Sequence, residues 1–280
     1  MRICRSVLSN FDRLQGGQNK ESRMAMLVMP TVIAVMVFAS LLVGALIGFM
    51  IGRAIPDHHL SSESRDVVKL GIGLVATIAA LVLGLATVSA KNSFDAQDRA
   101  VKIAAADILL LDRVLAAYGP EVKETRALLR LGLAQALGTI WPEDASYAQD
   151  LEVPGTEPPI DQMEAQLRML TPGNDSQRWL QSRALQVLGD LQLTRWLALA
   201  ASGHSVPVVF LVIVISWLTF IFGSFGLFAP PNVTVAAVLV ICATAASTSI
   251  LLILEMDEPY GGLLKVSSAP LRYALAHIGQ

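Results

Sequence analysis

The sequence predicts an all-α integral membrane protein. Its four transmembrane helices flank an all-α cytoplasmic domain inserted between spans two and three. Three observations lead there. Residues 24–52, 70–90, 206–228 and 233–254 carry no charged side chain, and each is long enough to cross a bilayer. The composition is 54% hydrophobic and only 16% charged, where a soluble domain has about a quarter of its residues charged. Residues 91–205 show apolar positions at helical spacing and no strand-like alternation.

The polar stretch 1–23 is rich in Lys and Arg and reads as a disordered cytoplasmic tail. Span one, 24–52, is too long for a signal-peptide core. An external loop, 53–69, follows, in which Pro56 breaks the helix and Ser61 or Ser62 caps the next one. His58 and His59 in this loop are adjacent and lack a third ligand, so they read as a solvated pair.

Span two, 70–90, has no proline, and its apolar pattern does not stop at the membrane edge. Phe94, Gln97, Val101, Ala104, Ile108, Leu111, Leu115 and Tyr118 make a heptad seam with one polar interruption. Projected backward, the register passes through Gly73, Ala76, Ala80, Leu83, Thr87 and Ala90. One helix of roughly 74 Å would then leave the bilayer and become the core helix of the soluble layer, unless it breaks near Asn92.

Gly119–Pro120 stops that helix. Three more soluble helices follow. One covers 121–141, with Leu129, Leu133 and Leu137 on its apolar side. A short one covers 160–170. A third covers about 177–201, capped by Asp175 or Ser176, with Leu180, Ala184, Val187, Leu188, Leu191 and Trp196 as its stripe. The acidic, proline-rich segment 142–159 is a linker or an exposed excursion. Pro207 opens span three, the turn 229–232 joins it to span four, and 255–280 is a cytoplasmic tail.

Basic residues crowd the N-terminal tail and the 91–205 region and are absent from the 229–232 turn. Both termini and the helical domain therefore belong inside, in a multi-pass protein of the bacterial inner membrane. A net charge of −2 implies no nucleic-acid partner. Cys4 and Cys242, one in a polar tail and one mid-span, make neither a disulfide nor a metal pair.

No hydrolase, nucleotide-binding or zinc-protease motif is present, so the chain reads as a non-enzyme. No Asp, Glu, Lys, Arg or His lies within a span, which favours passive conduction, or none, over coupled transport. Span two carries the small-residue stripe Gly73, Thr77, Ala80, Gly84 and Thr87. Close helix packing is the commoner use of such a stripe, and the lining of a pore is the other. Where span four ends, Glu255, Asp257 and Glu258 offer three carboxylates that could bind a hard cation such as Ca2+. A solvated helix end is the simpler reading.

The segments HHLSSESRDVVKLGIGLVATIAALVLGLATVSAKNSFD, LLLDRVLAAYGPEVKETRALLR and LEMDEPYGGLLKVSSAP resemble the bacterial bestrophin-like membrane family. The likeness covers most of the chain from about Val28 onward. It implies a homo-oligomer in membrane lipid, a pentamer by analogy with bestrophins. It also implies an anion pore along span two and an acidic calcium clasp at Glu255, Asp257 and Glu258. Bestrophins have phenylalanines at the pore neck; span two here has none, and Phe94 is the nearest. Two functions follow as expectations. One is an oligomeric channel for small ions, with anions as the resemblance suggests. The other is a non-conducting, membrane-anchored scaffold that binds a soluble partner through its cytoplasmic helices.

Overall fold

The computed structural model describes residues 29–54, 62–141, 159–200, 207–230 and 232–279. Among these, eight α-helices occur in the order α1 (Met29–Ala54), α2 (Ser62–Tyr118), α3 (Lys123–Ile140), α4 (Pro159–Met169), α5 (Asp175–Ala200), α6 (Val208–Phe228), α7 (Val233–Asp257) and α8 (Ala269–His277). No strand occurs among the described residues. The tail 1–23, the histidine pair, Pro56 and most of the acidic 142–159 segment lie outside them.

Four helices are long and apolar enough to cross a membrane: α1, α2, α6 and α7. The chain divides into two units. One comprises Met1–Phe94 with His204–Lys265, the other Asp95–Gly203 with Val266–Gln280.

In the first unit Val37, Leu41 and Ala45 of α1 pack with Phe222 of α6 and with Ala243 and Ile250 of α7. Lipid is as apolar as these side chains, so burial contributes little here and fit decides the packing. The fit comes from glycine. Gly44, Gly48 and Gly52 recur every fourth residue on α1 and face Thr219, Gly223 and Leu227 of α6. A Cβ on Gly48 would overlap the Gly223 carbonyl group, with the carbonyl carbon only 2.7 Å away. A Cβ on Gly226 would overlap the Ala45 carbonyl group in turn. The two backbones touch, as small-xxx-small spacing permits.

The second unit has a water-type core. Leu111, Leu115 and Tyr118 of α2 are buried, as are Leu129, Leu133 and Leu137 of α3, Met163 and Leu167 of α4, and Val187 and Leu188 of α5. Each such aliphatic side chain contributes about 1.5–3 kcal/mol. Polar pairs set the register between helices. Thr125 donates to Gln166 Oε1 at 2.8 Å, and Gln192 donates to Glu164 Oε2 at 3.1 Å. Arg126 makes a two-pronged pair with the buried Asp112, at 2.8 and 3.0 Å. That carboxylate raises the already high guanidinium pKa further.

Several expectations need correction. The first loop is shorter than 53–69, because α1 runs to Ala54 and α2 already begins at Ser62. Asn174, not Asp175 or Ser176, caps α5: its Oδ1 accepts the Gln177 N–H at 2.8 Å. Trp196 is 65% exposed and does not continue the α5 stripe. The last 26 residues are not a plain tail. α7 extends to Asp257, and α8 buries Leu271, Ala274 and Leu275 in the second unit. The Trp141 indole N–H donates to the Val266 carbonyl at 2.9 Å, and the Gly279 N–H donates to Asp112 at 3.3 Å. Both bonds tie this segment to α2 and α3.

α2 is one uninterrupted helix of 57 residues, with no break at Asn92. At about 1.5 Å per residue it is roughly 86 Å long. The expected seam holds from Gln97 to Tyr118, where Gln97, Val101, Ile108, Leu111, Leu115 and Tyr118 are buried. The backward projection holds at Ala90, which is buried, and at Leu83, which packs on the same cluster, but the other buried residues are Ala86 and Ala79, not Thr87 and Ala80. A strict heptad assumes 3.5 residues per turn, and a straight helix has 3.6, so the seam slips by about 20° per heptad. Counted at 3.6 back from Gln97, the inward positions fall near 93, 90, 86, 83, 79, 75 and 72, which include the buried Ala90, Ala86 and Ala79.

Candidate functional site

The membrane stretch of α2 has three distinct faces. The inner one carries Ala79, Ala86 and Ala90, all buried, and packs through Leu83 against Ile253 of α7 and Phe210 and Leu211 of α6. A second face carries the large residues Leu74, Ile78, Leu81, Leu85 and Val88, each at least 42% exposed. Between them runs the stripe singled out from the sequence. Gly73, Thr77, Ala80 and Gly84 are exposed, and Thr87 is half-buried.

The stripe does not serve packing within the subunit. A Cβ placed on Gly71, Gly73 or Gly84 would meet nothing within 4 Å. The contrast with Gly48 is physical: one set of glycines lets two helices of this chain touch, and the other opens onto free space. The stripe's hydroxyls satisfy themselves locally. Thr77 donates to the Gly73 carbonyl and Thr87 to the Leu83 carbonyl, each at 2.9 Å. Both remain acceptors toward whatever lies beyond the stripe. The face is thus neutral, weakly polar and narrow in profile.

The acidic group at the end of α7 has a different geometry from the one expected. Glu255 is 3% exposed and turns back onto the chain. Its Oε2 accepts the Leu263 N–H and, at 3.4 Å, the Leu264 N–H. Gly262 lies against the same carboxylate, with Cδ 2.9 Å from where a Cβ would sit, so any larger residue there would displace the Glu255 carboxylate. Glu255 therefore holds the loop that follows α7 by its backbone amides. Asp257 and Glu258 are half-buried beside it. Burial raises the pKa of the neighbouring Tyr260 phenol. Among the described residues no three His, Cys, Asp or Glu side chains converge to hold a metal ion. Of the three carboxylates that the resemblance assigns to a calcium clasp, Glu255 is engaged by the backbone amides of Leu263 and Leu264.

Sequence reasoning missed the α1–α6 glycine seam. Its signal, Gly44-xxx-Gly48-xxx-Gly52 within an apolar run, is a known helix-crossing pattern. The Glu255 loop had no local signal, because its partners are backbone amides eight and nine residues away.

Comparison with known proteins fits this architecture. The model of the bestrophin-like domain matches residues 38–271. Among curated proteins there is no match. The crystal structure of a membrane protein superposes with a TM-score of 0.61 at 14% identity, covering 87% of this chain and 99% of the other. At that identity the likeness establishes the fold alone. The family match spans three of the four membrane helices in full, most of α1, and the whole of the helical unit up to α8. The chain belongs to the bestrophin-like family.

Proposed function

We propose that the protein is a homo-oligomeric pore that passes small ions across the bacterial inner membrane along the small-residue face of α2. Both termini and the helical unit lie on the cytoplasmic side. The observation that carries this reading is the open space at Gly84, midway along the stripe, where a Cβ would meet nothing of its own subunit within 4 Å. Only 11% of the most apolar stretch of α2 is buried, against 33% for α1. A face of glycine, alanine and threonine gains nothing from lipid, which packs best against large side chains such as those on the neighbouring face. Turned toward a common axis, several such faces would make a neutral passage. Threonine oxygens would offer weak coordination, and rings of aliphatic side chains would form dewetting constrictions. The lack of Asp, Glu, Lys, Arg and His within the spans suits passive conduction. Bestrophin-like membership agrees with the reading, and anions and a pentamer come from that kinship.

Flux from proteoliposomes tests it. Purified protein should release chloride above the rate of empty liposomes. Gly84→Leu should cut that rate by more than about tenfold, because it narrows a weakly polar passage. No atom of the subunit lies within 4 Å of a Cβ at Gly84, so expression and monodispersity should not change. If neither chloride nor potassium moves faster than in empty liposomes, the protein is not a pore. If Gly84→Leu and Ala80→Leu both conduct normally, another face lines it.

A further inference from the structure

We propose that an anionic phospholipid occupies the groove between α2, α6 and α7, with an acyl chain along its floor and its headgroup phosphate on Lys69. The inference is independent of whether the protein conducts. The groove encloses about 650 Å3 and is bounded by the start of α2's membrane stretch, the end of α6 and the start of α7. That volume lies within the range of sites that hold small organic ligands.

The groove exists because small meets large. Gly73 and Ala76 on α2 leave a gap opposite Phe225 and Phe228 on α6. Val238 and Leu239 of α7 line its third side. Its polarity runs in one direction. Among the described residues Lys69, at the helix-end level, is the single basic side chain lining it, and the floor runs inward to Cys242. From Thr234 to Cys242 is about 12 Å along the helix, or roughly the outer third of a 30 Å hydrocarbon core.

A cation at the interfacial end and an apolar trough below it match a phospholipid, which has its phosphate at the surface and its chain inward. Lys69 is available for this. Its ammonium reaches Asp66 at 3.7 Å, but both side chains are more than half exposed, and such pairs hold weakly. The nearby Asp66 carboxylate disfavours a second negative charge, so a headgroup with one phosphate fits better than a polyphosphorylated one. A neutral, chain-only occupant would leave Lys69 unused. A second copy of this chain would have to bury that lysine.

The test uses the full chain in nanodiscs of equal phosphatidylglycerol and phosphatidylcholine, followed by gentle transfer to detergent and native mass spectrometry. The expected result is about one retained phosphatidylglycerol per subunit, in preference to phosphatidylcholine. Lys69→Gln should lower that preference by about fivefold, the factor expected of one lysine at a membrane surface. Val238→Trp should fill the groove and abolish retention. Val240→Trp, on the same helix but outside the groove, should leave retention unchanged. Cys242 gives a second readout, because in a Cys4→Ser background it is the only thiol. Added phosphatidylglycerol should slow its labelling by a membrane-permeant maleimide. The proposal is overturned if the two lipids are retained equally. It is also overturned if Val238→Trp retains lipid, or if Cys242 is already unreactive in lipid-free protein, which would mean that a neighbouring copy covers the groove.

Discussion

One substitution, glycine to alanine, should have opposite signs at two places in the membrane layer. At Gly48 the new Cβ would overlap the Gly223 carbonyl oxygen and sit 2.7 Å from its carbon and 3.0 Å from the Gly223 Cα. Carbon atoms in contact prefer about 3.5–4.0 Å. The opposing atoms are backbone and cannot rotate away, so α1 and α6 must move apart by roughly 0.5–1 Å. A gap of that size forfeits a quarter to a half of each contact's dispersion energy, and overpacking of this kind costs about 1–3 kcal/mol. Alanine's better helix propensity returns about 0.5–1 kcal/mol. The net loss is about 1–2 kcal/mol, or roughly 5 °C in Tm for a protein of this size. At Gly84 no atom lies within 4 Å of the new methyl. Only the propensity gain remains there, and Tm should rise by about 2 °C. The measurement is the temperature at which half of the monodisperse peak is lost on size exclusion. If Gly48→Ala leaves that temperature unchanged, or if both variants shift it in the same direction, the α1–α6 backbones do not touch as described.

Three further outcomes follow from the second unit and the loop after α7. Asp112→Ala strands a guanidinium that is three-quarters buried, and should cost about 2–4 kcal/mol. A double-mutant cycle with Arg126→Ala should show a coupling of about 2 kcal/mol in denaturant titrations, and simple additivity would refute the pair's role. Glu255→Ala should free the Leu263 and Leu264 amides, and their hydrogen exchange should quicken by about tenfold, from the loss of a charge-assisted bond worth about 1.5 kcal/mol. The hydrogen bonds from Gln192 and then from Arg168 hold the Glu164 pKa below its ordinary 4.5. Its stabilising effect is therefore present above that value and is lost as pH falls through the depressed pKa. Glu164→Gln should be less stable than wild type near neutrality and equal to it in strong acid, and a gap that persists in acid would contradict this assignment.

How much of this was legible in the sequence differs between the two layers. The four spans follow from uncharged length alone, because an apolar run of that size has no stable place in water. The soluble helices follow from periodicity, and Leu129, Leu133, Leu137, Val187 and Leu188 are buried as their spacing implied. Periodicity failed where it was extended too far: carried back from Gln97, a heptad register loses the true inner face of α2 within a few turns. It also gave no sign of α8, whose nine residues are too few for a strong signal and whose order comes from Trp141 and Asp112 far back in the chain.

The stripe on α2 shows where sequence stops and tertiary structure begins. Gly73, Thr77, Ala80 and Gly84 are small by composition, and composition alone fits both a packing seam and a pore lining. Within the subunit the choice depends on whether another helix occupies the space beyond them. At Gly84 none does, and α6 and α7 meet α2 through Ala86, Ala90 and Ile253 instead; at Gly73 the space is a groove against α6 and α7. The glycines on α1 have the same chemistry and the opposite surroundings. What the sequence by itself determined is that this helix would be apolar across the membrane and lined on one side with small residues; it left a break near Asn92 open. Only the tertiary structure decided that the small side is not packed against by its own subunit, being open at Gly84 and a groove at Gly73. Helix contacts in lipid are chosen by shape rather than by hydrophobicity, and shape complementarity exists only once the helices are assembled.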